Sequence, residues 1–210
     1  HGRDIDIQWI HSEEIERDGP DPFLKSACGI VVPGGFGPRG VEGMIQTARY
    51  ARQNQIPYLG LCLGLQVLVV EHARDVMGLE SANSSELDPD TPHPIIDIMP
   101  EQRDAVNMGG TMRLGSYPCR MLKGTLAHKA YAEDTVYERH RHRYELNNAY
   151  REALENTGLL AGGVSPDGKL VEIVELEGHP FMVGVQFHPE FRSRPTQPHP
   201  LFKEFVSAAK

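Results

Sequence analysis

Ile56-Pro57-Tyr58-Leu59-Gly60-Leu61-Cys62-Leu63-Gly64-Leu65-Gln66 is the stretch that decides how this chain is read. A short apolar run leads into one cysteine with glycine two residues to either side, and an apolar run of helical length follows. This is the G-x-nucleophile-x-G pattern of a strand-to-helix elbow, with Cys62 standing where hydrolases usually put serine. The turn lifts such a side chain above a sheet, and glycine on either side lets backbone and substrate come close. A thiol at a helix N-terminus also feels the positive end of the dipole and the free N–H groups, which favour the thiolate. The competing reading is a buried structural cysteine, because free Cys is among the most buried residue types.

Upstream of the elbow, residues 27–32 form a continuous apolar run, which predicts a central parallel strand. It ends in the glycine loop Pro33-Gly34-Gly35-Phe36-Gly37-Pro38-Arg39-Gly40. Val41, Met44, Ile45 and Ala48 then recur at helical spacing to about Asn54, and Leu65, Leu68, Val69, His72 and Val76 mark a second helix after Cys62. Strand, glycine loop, helix, strand, elbow and helix form the repeat of an open α/β sheet. Such sheets carry their sites at the carboxyl ends of the strands, so the glycine loop and Cys62 are expected on one edge.

Farther out the signals are local. Ile5, Ile7 and Trp9 alternate with polar residues and predict a half-buried or edge strand, with a loop or short helix over 11–22. From Asn83 to about Pro118 prolines interrupt the periodicity, which predicts excursions over the active face with short strands near 95–99 and 118–122. A short helix is expected at 149–156, then strands at 159–164, 170–176 and 182–187, and a closing helix at 201–209.

Composition bounds the function. The 210 residues contain 40% apolar and 24% charged residues, ordinary for one globular domain. A net charge of −8 gives no electrostatic footprint for nucleic acid or an anionic membrane. No apolar run reaches the 18 or so residues of a membrane span. The three cysteines, Cys28, Cys62 and Cys119, cannot all pair and form no C-x-x-C, which points to a reducing, cytoplasmic setting.

Two further constellations bear on chemistry. Gly35-x-Gly37-x-x-Gly40 matches the dinucleotide fingerprint, but the acid that should hold a ribose about 20 residues on is replaced by Gly60-Leu61-Cys62. A backbone N–H of this loop suits an oxyanion beside Cys62 better. Val185-Gln186-Phe187-His188-Pro189-Glu190 places His188 and Glu190 two residues apart at a late strand end, on the same side of an extended chain. The carboxylate fixes the imidazole, which takes the thiol proton and returns it to a leaving group. Alone, this reads as an ordinary strand end. With Cys62 on another strand end, nucleophile, base and orienter are all present. His140-x-His142 lacks a third metal ligand in a clear pattern, so no metal is expected. Arg139, Arg141 and Arg143 suit either an anionic ligand or a solvated basic face. Cys28 and Cys119 read as structural. His72 and His128 read as surface or packing residues, and His93, His179 and His199 as loop residues.

Pro33-Gly34-Gly35-Phe36-Gly37, the Gly60–Gln66 elbow and Phe187-His188-Pro189-Glu190 together resemble a class I glutamine amidotransferase domain. Four longer segments narrow the resemblance to the glutaminase domain of the CTP synthase family: Gly40-Val41-Glu42-Gly43, Ala82-Asn83-Ser84-Ser85-Glu86, Gly109-Gly110-Thr111-Met112-Arg113-Leu114-Gly115 and Glu138-Arg139-His140-Arg141-His142-Arg143-Tyr144-Glu145. The ending His199-Pro200-Leu201-Phe202 adds to it. The resemblance implies an α/β fold of flavodoxin-like type: an open, mostly parallel sheet with helices on both faces and a small antiparallel addition.

It also implies glutamine hydrolysis through a thioester on Cys62, with His188 as acid and base, Glu190 as its orienter, and the N–H groups of Gly35 and Leu63 around the oxyanion. Glutamine contacts are implied for Gly35, Leu63, Gly64, Leu65, Gln66, Glu86 and Arg143, the last two for the substrate ammonium and carboxylate. No cofactor is implied in this domain. ATP and Mg belong to an N-terminal amidoligase (synthetase) partner, which aminates UTP with the released ammonia. GTP is implied as an activator near 109–115, and a homo-tetramer for the full-length enzyme.

By the same comparison, residues 1–210 are expected to form one amidotransferase domain without its first strand and helix and without the amidoligase. Residues 104–108 look short for the family. The rival readings are a free-standing γ-glutamyl hydrolase of the same fold, a non-catalytic regulatory or assembly module, and a phosphate- or nucleotide-binding module resting on the glycine loop.

Overall fold

A computed structural model describes residues 2, 4–98 and 112–209. In chain order its elements are α1 (Ser12–Asp18), α2 (Asp21–Leu24), β1 (Ile30–Val32), α3 (Val41–Gln53), β2 (Tyr58–Leu61), α4 (Leu63–Asp75), β3 (Ala82–Ser84) and β4 (His93–Asp97). Then come β5 (Arg113–Met121), α5 (Leu126–Tyr131), β6 (Thr135–His142), β7 (Glu145–Leu146), α6 (Arg151–Asn156), β8 (Leu159–Val164), β9 (Val171–Leu176), β10 (Met182–Val185) and α7 (Pro200–Ala208). Short 3₁₀ turns precede α6 at Asn148–Tyr150 and follow β10 at Pro189–Phe191.

Seven strands form one sheet in the order β1-β2-β10-β9-β8-β5-β6, and β3-β4-β7 form a small second sheet. The parallel part, β1-β2-β10, pairs Val32 with Gly60 and Leu61 with Val185. An antiparallel run from β9 to β6 extends it. The α/β sheet expected from the elbow and glycine loop is therefore present, and β2 and β10 end side by side.

Period-2 alternation divides the residues of β2 and β10 between two cores. Tyr58 and Met182 join the apolar cluster beneath α3 and α4. Leu59, Leu61, Val183 and Val185 join the opposite cluster, with Phe187 and with Leu201 and Phe205 of α7. Burial of each large aliphatic side chain is worth about 1.5–3 kcal/mol, so these two layers hold the strand ends in place. Helix α4 is buried through Leu63–Ala73 because the main sheet lies on one side and the small sheet on another. A Cβ on Gly60 would run into the Gly64 carbonyl, and one on Gly64 into the Val32 carbonyl. Both glycines are thus required for α4 to start directly against the strands. The Tyr58 hydroxyl donates to the Gly64 carbonyl at 2.8 Å and fastens the same junction.

Several expectations are corrected. Ile5, Ile7 and Trp9 lie in irregular, exposed chain, Trp9 at 89% exposure, and pair with no strand among the described residues. Alternation marks an extended chain, but a strand also needs a neighbour for its hydrogen bonds. The 27–32 run shortens to β1, which is an edge rather than a central strand of the described sheet. At Gly29 the Phe205 ring is so close that a Cβ would stand 2.8 Å from it. Cys28 is exposed, not part of a strand. Of the histidines, His72 is a buried packing residue of α4, and His179 and His199 lie in loops as expected, though buried, with His199 capping α7 by accepting from the Leu201 N–H. The expected strand over 95–99 begins two residues early, and Met99 falls outside the described residues, as do 104–108 and Gly109–Thr111.

Candidate active site

Cys62 follows β2 directly and is the N-cap of α4. Its φ of 52° and ψ of −100° are outside the ordinary regions for an L-residue. Backbone strain of this kind costs about 1–3 kcal/mol and is found where a side chain must be aimed. The Cys62 N–H donates to the Val185 carbonyl at 2.7 Å, which extends the β2–β10 ladder one residue into the turn. Its carbonyl accepts from the N–H groups of Leu65 and Gln66, so the helix begins at once.

The other half of the site leaves the end of β10. The His188 N–H donates to the Arg139 carbonyl of β6 at 2.8 Å, which fixes the backbone of the His-Pro-Glu turn. His188 Nδ1 lies 2.7 Å from Glu190 Oε1. Cys62 stands beside the ring, and its interaction with the imidazole, then that of Glu190, raises the His188 pKa to about 9 against the desolvation of its partly buried ring. Gly34 closes the arrangement: a Cβ there would be 2.7 Å from His188 Cε1 and 3.5 Å from Cys62 Cβ. The glycine loop therefore approaches Cys62 and His188 from β1, as the strand order requires. Gly34 belongs to the quoted loop, but nothing in the sequence distinguished it from Gly35.

The raised His188 pKa has a measurable consequence. The folded protein holds this proton more tightly than an unfolded chain, whose histidine titrates near 6.5. Its stabilising contribution is complete below that value and is lost as pH rises through about 9. NMR titration of the His188 ring is expected to give a midpoint near 9 in the wild type and a clearly lower one in Cys62→Ala. An unchanged midpoint in that variant would contradict the Cys62–His188 interaction.

The expected oxyanion donors also meet at this edge. A Cβ on Gly35 would lie 3.1 Å from Leu63 Cδ2. Among the described residues no acceptor takes the N–H of Gly35 or Leu63. The Leu65 N–H is committed to Cys62, and the Leu65 side chain is fully buried against Gly184. Leu65 is thereby placed as a packing residue of the elbow, its N–H and side chain both engaged. Gly64 likewise serves close packing on β1.

Glu86 follows β3 and Arg143 follows β6. Glu86 lies near the Arg143 charge, which holds its pKa down while partial desolvation, the larger effect, pushes it up. Arg143 Nε is buried with no hydrogen-bond partner among the described residues. Gln66 is buried and its Nε2 reaches the Tyr144 carbonyl at 3.3 Å. Glu86, Arg143, Gln66 and the Cys62 elbow thus converge from three elements of the fold.

Strand β6 alternates without exception: Val136, Glu138, His140 and His142 face inward, Tyr137, Arg139 and Arg141 outward. Arg139 and Arg141 accordingly form a solvated face, while Arg143, beyond the strand, does not. His140 Nδ1 and His142 Nε2 lie 2.8 Å apart, and burial beside Arg113 pushes their pKa values down to about 2 and about 3. Among the described residues no group of three His, Cys, Asp or Glu could hold a metal ion. Arg113, at the start of β5, is itself buried and ion-paired with Glu172 at 2.8 Å and Glu145 at 3.2 Å. Burial pushes the Glu145 pKa up to about 8. This cluster of Arg113, Glu145, Glu172 and two neutral histidines was not foreseen. Its members come from four strands, β5, β6, β7 and β9, so no local pattern announces it.

Comparison with known proteins identifies the family and the fold. Residues 2–208 match the family described as glutamine amidotransferase class-I. A CTP synthase of Dehalococcoides mccartyi is 60% identical over 210 residues, 100% of this chain and 39% of that protein. A CTP synthase of Roseiflexus castenholzii is 63% identical over 209 residues, 99% of this chain and 38% of that protein. The solved glutaminase domain of Trypanosoma brucei CTPS, with bound acivicin, superposes at a TM-score of 0.90 with 42% identity, covering 97% of this chain and 80% of that one. The chain spans about two fifths of the length of the curated relatives it matches. No helix among the described residues is long and apolar enough to cross a membrane.

Proposed function

Because the chain belongs to the class-I glutamine amidotransferases, and within them to the glutaminase domains of CTP synthases, we propose that it hydrolyses L-glutamine through Cys62, His188 and Glu190. The observation that carries this reading is Cys62 standing beside His188, whose Nδ1 is 2.7 Å from Glu190 Oε1, at two adjacent strand ends. Cys62 Sγ attacks the side-chain amide carbon and a tetrahedral oxyanion forms. The free N–H groups of Gly35 and Leu63 receive that oxyanion, each such donor being worth about 3–4 kcal/mol of barrier. His188, protonated beside Glu190, gives its proton to the departing ammonia and the thioester remains. The neutral imidazole then activates water, the thioester is cleaved, and glutamate leaves.

Glu86 holds the substrate ammonium and Arg143, whose buried Nε has no hydrogen-bond partner among the described residues, holds the carboxylate. Gln66 lines the same pocket. In the full-length protein the ammonia aminates UTP to CTP with ATP and Mg on an amidoligase domain, under activation by GTP, in a tetramer working in the cytoplasm. The support for this wider reading is identity to CTP synthases across the whole chain. The similar glutaminase domain of Trypanosoma brucei CTPS carries bound acivicin, in keeping with a small-molecule site in this domain.

The test is ammonia release from glutamine by the full-length protein and its Arg143→Ala variant. KM for glutamine is expected to rise by one to two orders of magnitude, roughly the value of a charge-assisted hydrogen bond. Alkylation of Cys62 by iodoacetamide, which needs no carboxylate contact, is expected to stay near the wild-type rate. Equal loss in both assays would contradict the role given to Arg143.

A further inference from the structure

Cys62 has a second polar neighbour besides His188. Gln186 Nε2 lies 3.7 Å from Cys62 Sγ, within hydrogen-bond range for sulfur, and the Gln186 side chain is fully buried. Its backbone N–H is bonded to the Glu172 carbonyl at 2.8 Å, so the residue is held by the sheet on β9.

Which end of the Gln186 amide meets the sulfur is fixed by its partners. The Tyr144 carbonyl can only accept. Gln66 Nε2 stands 3.3 Å from that carbonyl, so its nitrogen end faces Tyr144. The same nitrogen is 3.4 Å from Gln186 Oε1. The oxygen of Gln186 therefore points to Gln66 and its nitrogen to Cys62. Turning the amide over would set two N–H₂ groups against each other and an oxygen against the sulfur.

The Tyr144 carbonyl is itself held from behind. His142 Nδ1 lies 3.3 Å away, and His142 Nε2 meets His140 Nδ1 at 2.8 Å. With both rings neutral, each Nδ1 carries the proton and donates along the series toward Tyr144.

We propose that Gln186 is a fixed N–H donor to the nucleophile: it positions the Cys62 sulfur and stabilises its thiolate, with its amide orientation set by Gln66 and the Tyr144 carbonyl. The inference rests on Cys62 being the reactive thiol of the proposed glutaminase. A hydrogen bond to an anionic sulfur is stronger than one to a neutral thiol, so loss of the donor raises the thiol's apparent pKa. The titratable groups around the sulfur are His188, backed by Glu190, and on β6 His140 and His142, beyond which Glu145 and Glu172 are held by Arg113.

The test is the pH dependence of iodoacetamide alkylation in the full-length protein, read at Cys62 by peptide mapping. The exposed Cys28 in the same sample is the internal reference. Gln186→Met, similar in volume but without a donor, is expected to raise the Cys62 midpoint by about one pH unit. Gln66→Met leaves Gln186 in place but removes its lock, and is expected to give a smaller rise. Cys28 is expected to behave alike in all three proteins. Cys62 profiles that superimpose on the wild type in both variants, with Cys28 unchanged, would overturn the proposal. Should Gln186→Met not fold, the Gln66→Met profile decides alone. Protection of Cys62 by glutamine in the wild type is scored separately, and its absence would overturn the glutaminase reading while leaving the Gln186 result standing.

Discussion

Cys62→Ala is expected to abolish ammonia release from glutamine, with kcat falling on the order of 10⁵-fold. The thioester route has no other nucleophile. Cys28 is exposed away from the strand ends, and Cys119 is buried, with desolvation pushing its thiol up and away from reactivity. Alanine should keep the fold because it tolerates the φ of 52° at the elbow no worse than cysteine does. Under the proposed reading, CTP formation supplied with free ammonia persists in this variant while the glutamine-dependent reaction disappears. The two rates are measured side by side on one preparation. Substantial glutamine turnover by Cys62→Ala would remove the nucleophile assignment.

Gly34→Ala is the second large effect, and it removes no reacting group. Gly34 does not have positive φ, so alanine meets no backbone obstacle. The new Cβ instead stands 2.7 Å from His188 Cε1, closer than a methyl group can come. The ring must move, and it is held by Glu190 at 2.7 Å on one side and by Cys62 on the other. A displacement of about 1 Å at a reacting centre costs on the order of 10²-fold. The expected result is a kcat lowered by about that factor, a small change in thermal stability, and a His188 NMR midpoint moved down toward 6.5. Wild-type turnover by a folded Gly34→Ala would mean that loop and histidine do not meet as described.

The parts legible in the sequence were those whose cause is local. The Gly60–Gly64 elbow states its own geometry, because its glycines are needed where α4 starts against β1 and β2. The strands at 159–164, 171–176 and 182–185 follow from short apolar runs between turns. His188 and Glu190 were legible as a pair because an extended chain puts i and i+2 on one side.

What stayed hidden depends on partners distant in sequence. Ile5, Ile7 and Trp9 alternate like a strand, but pairing is decided by a neighbour, and none is present among the described residues. Glu86 and Arg143 are separated by 57 positions, and only their resemblance to a family, not their spacing, singled them out. Gln186 sits between Val185 and Phe187 at a strand end, where a polar residue in an apolar stretch is the only hint of a buried bond. The ion pairs of Arg113 with Glu145 and Glu172 join β5, β7 and β9, which no local pattern connects.

The central claim is that Cys62 is a thiol that recognises glutamine. It is tested most directly by exposing the full-length protein to a glutamine-like electrophile and mapping the adduct by mass spectrometry, with and without excess L-glutamine. A single adduct on Cys62 that glutamine suppresses is the predicted result. An adduct shared with Cys28, or one on Cys62 that glutamine leaves untouched, would contradict the account.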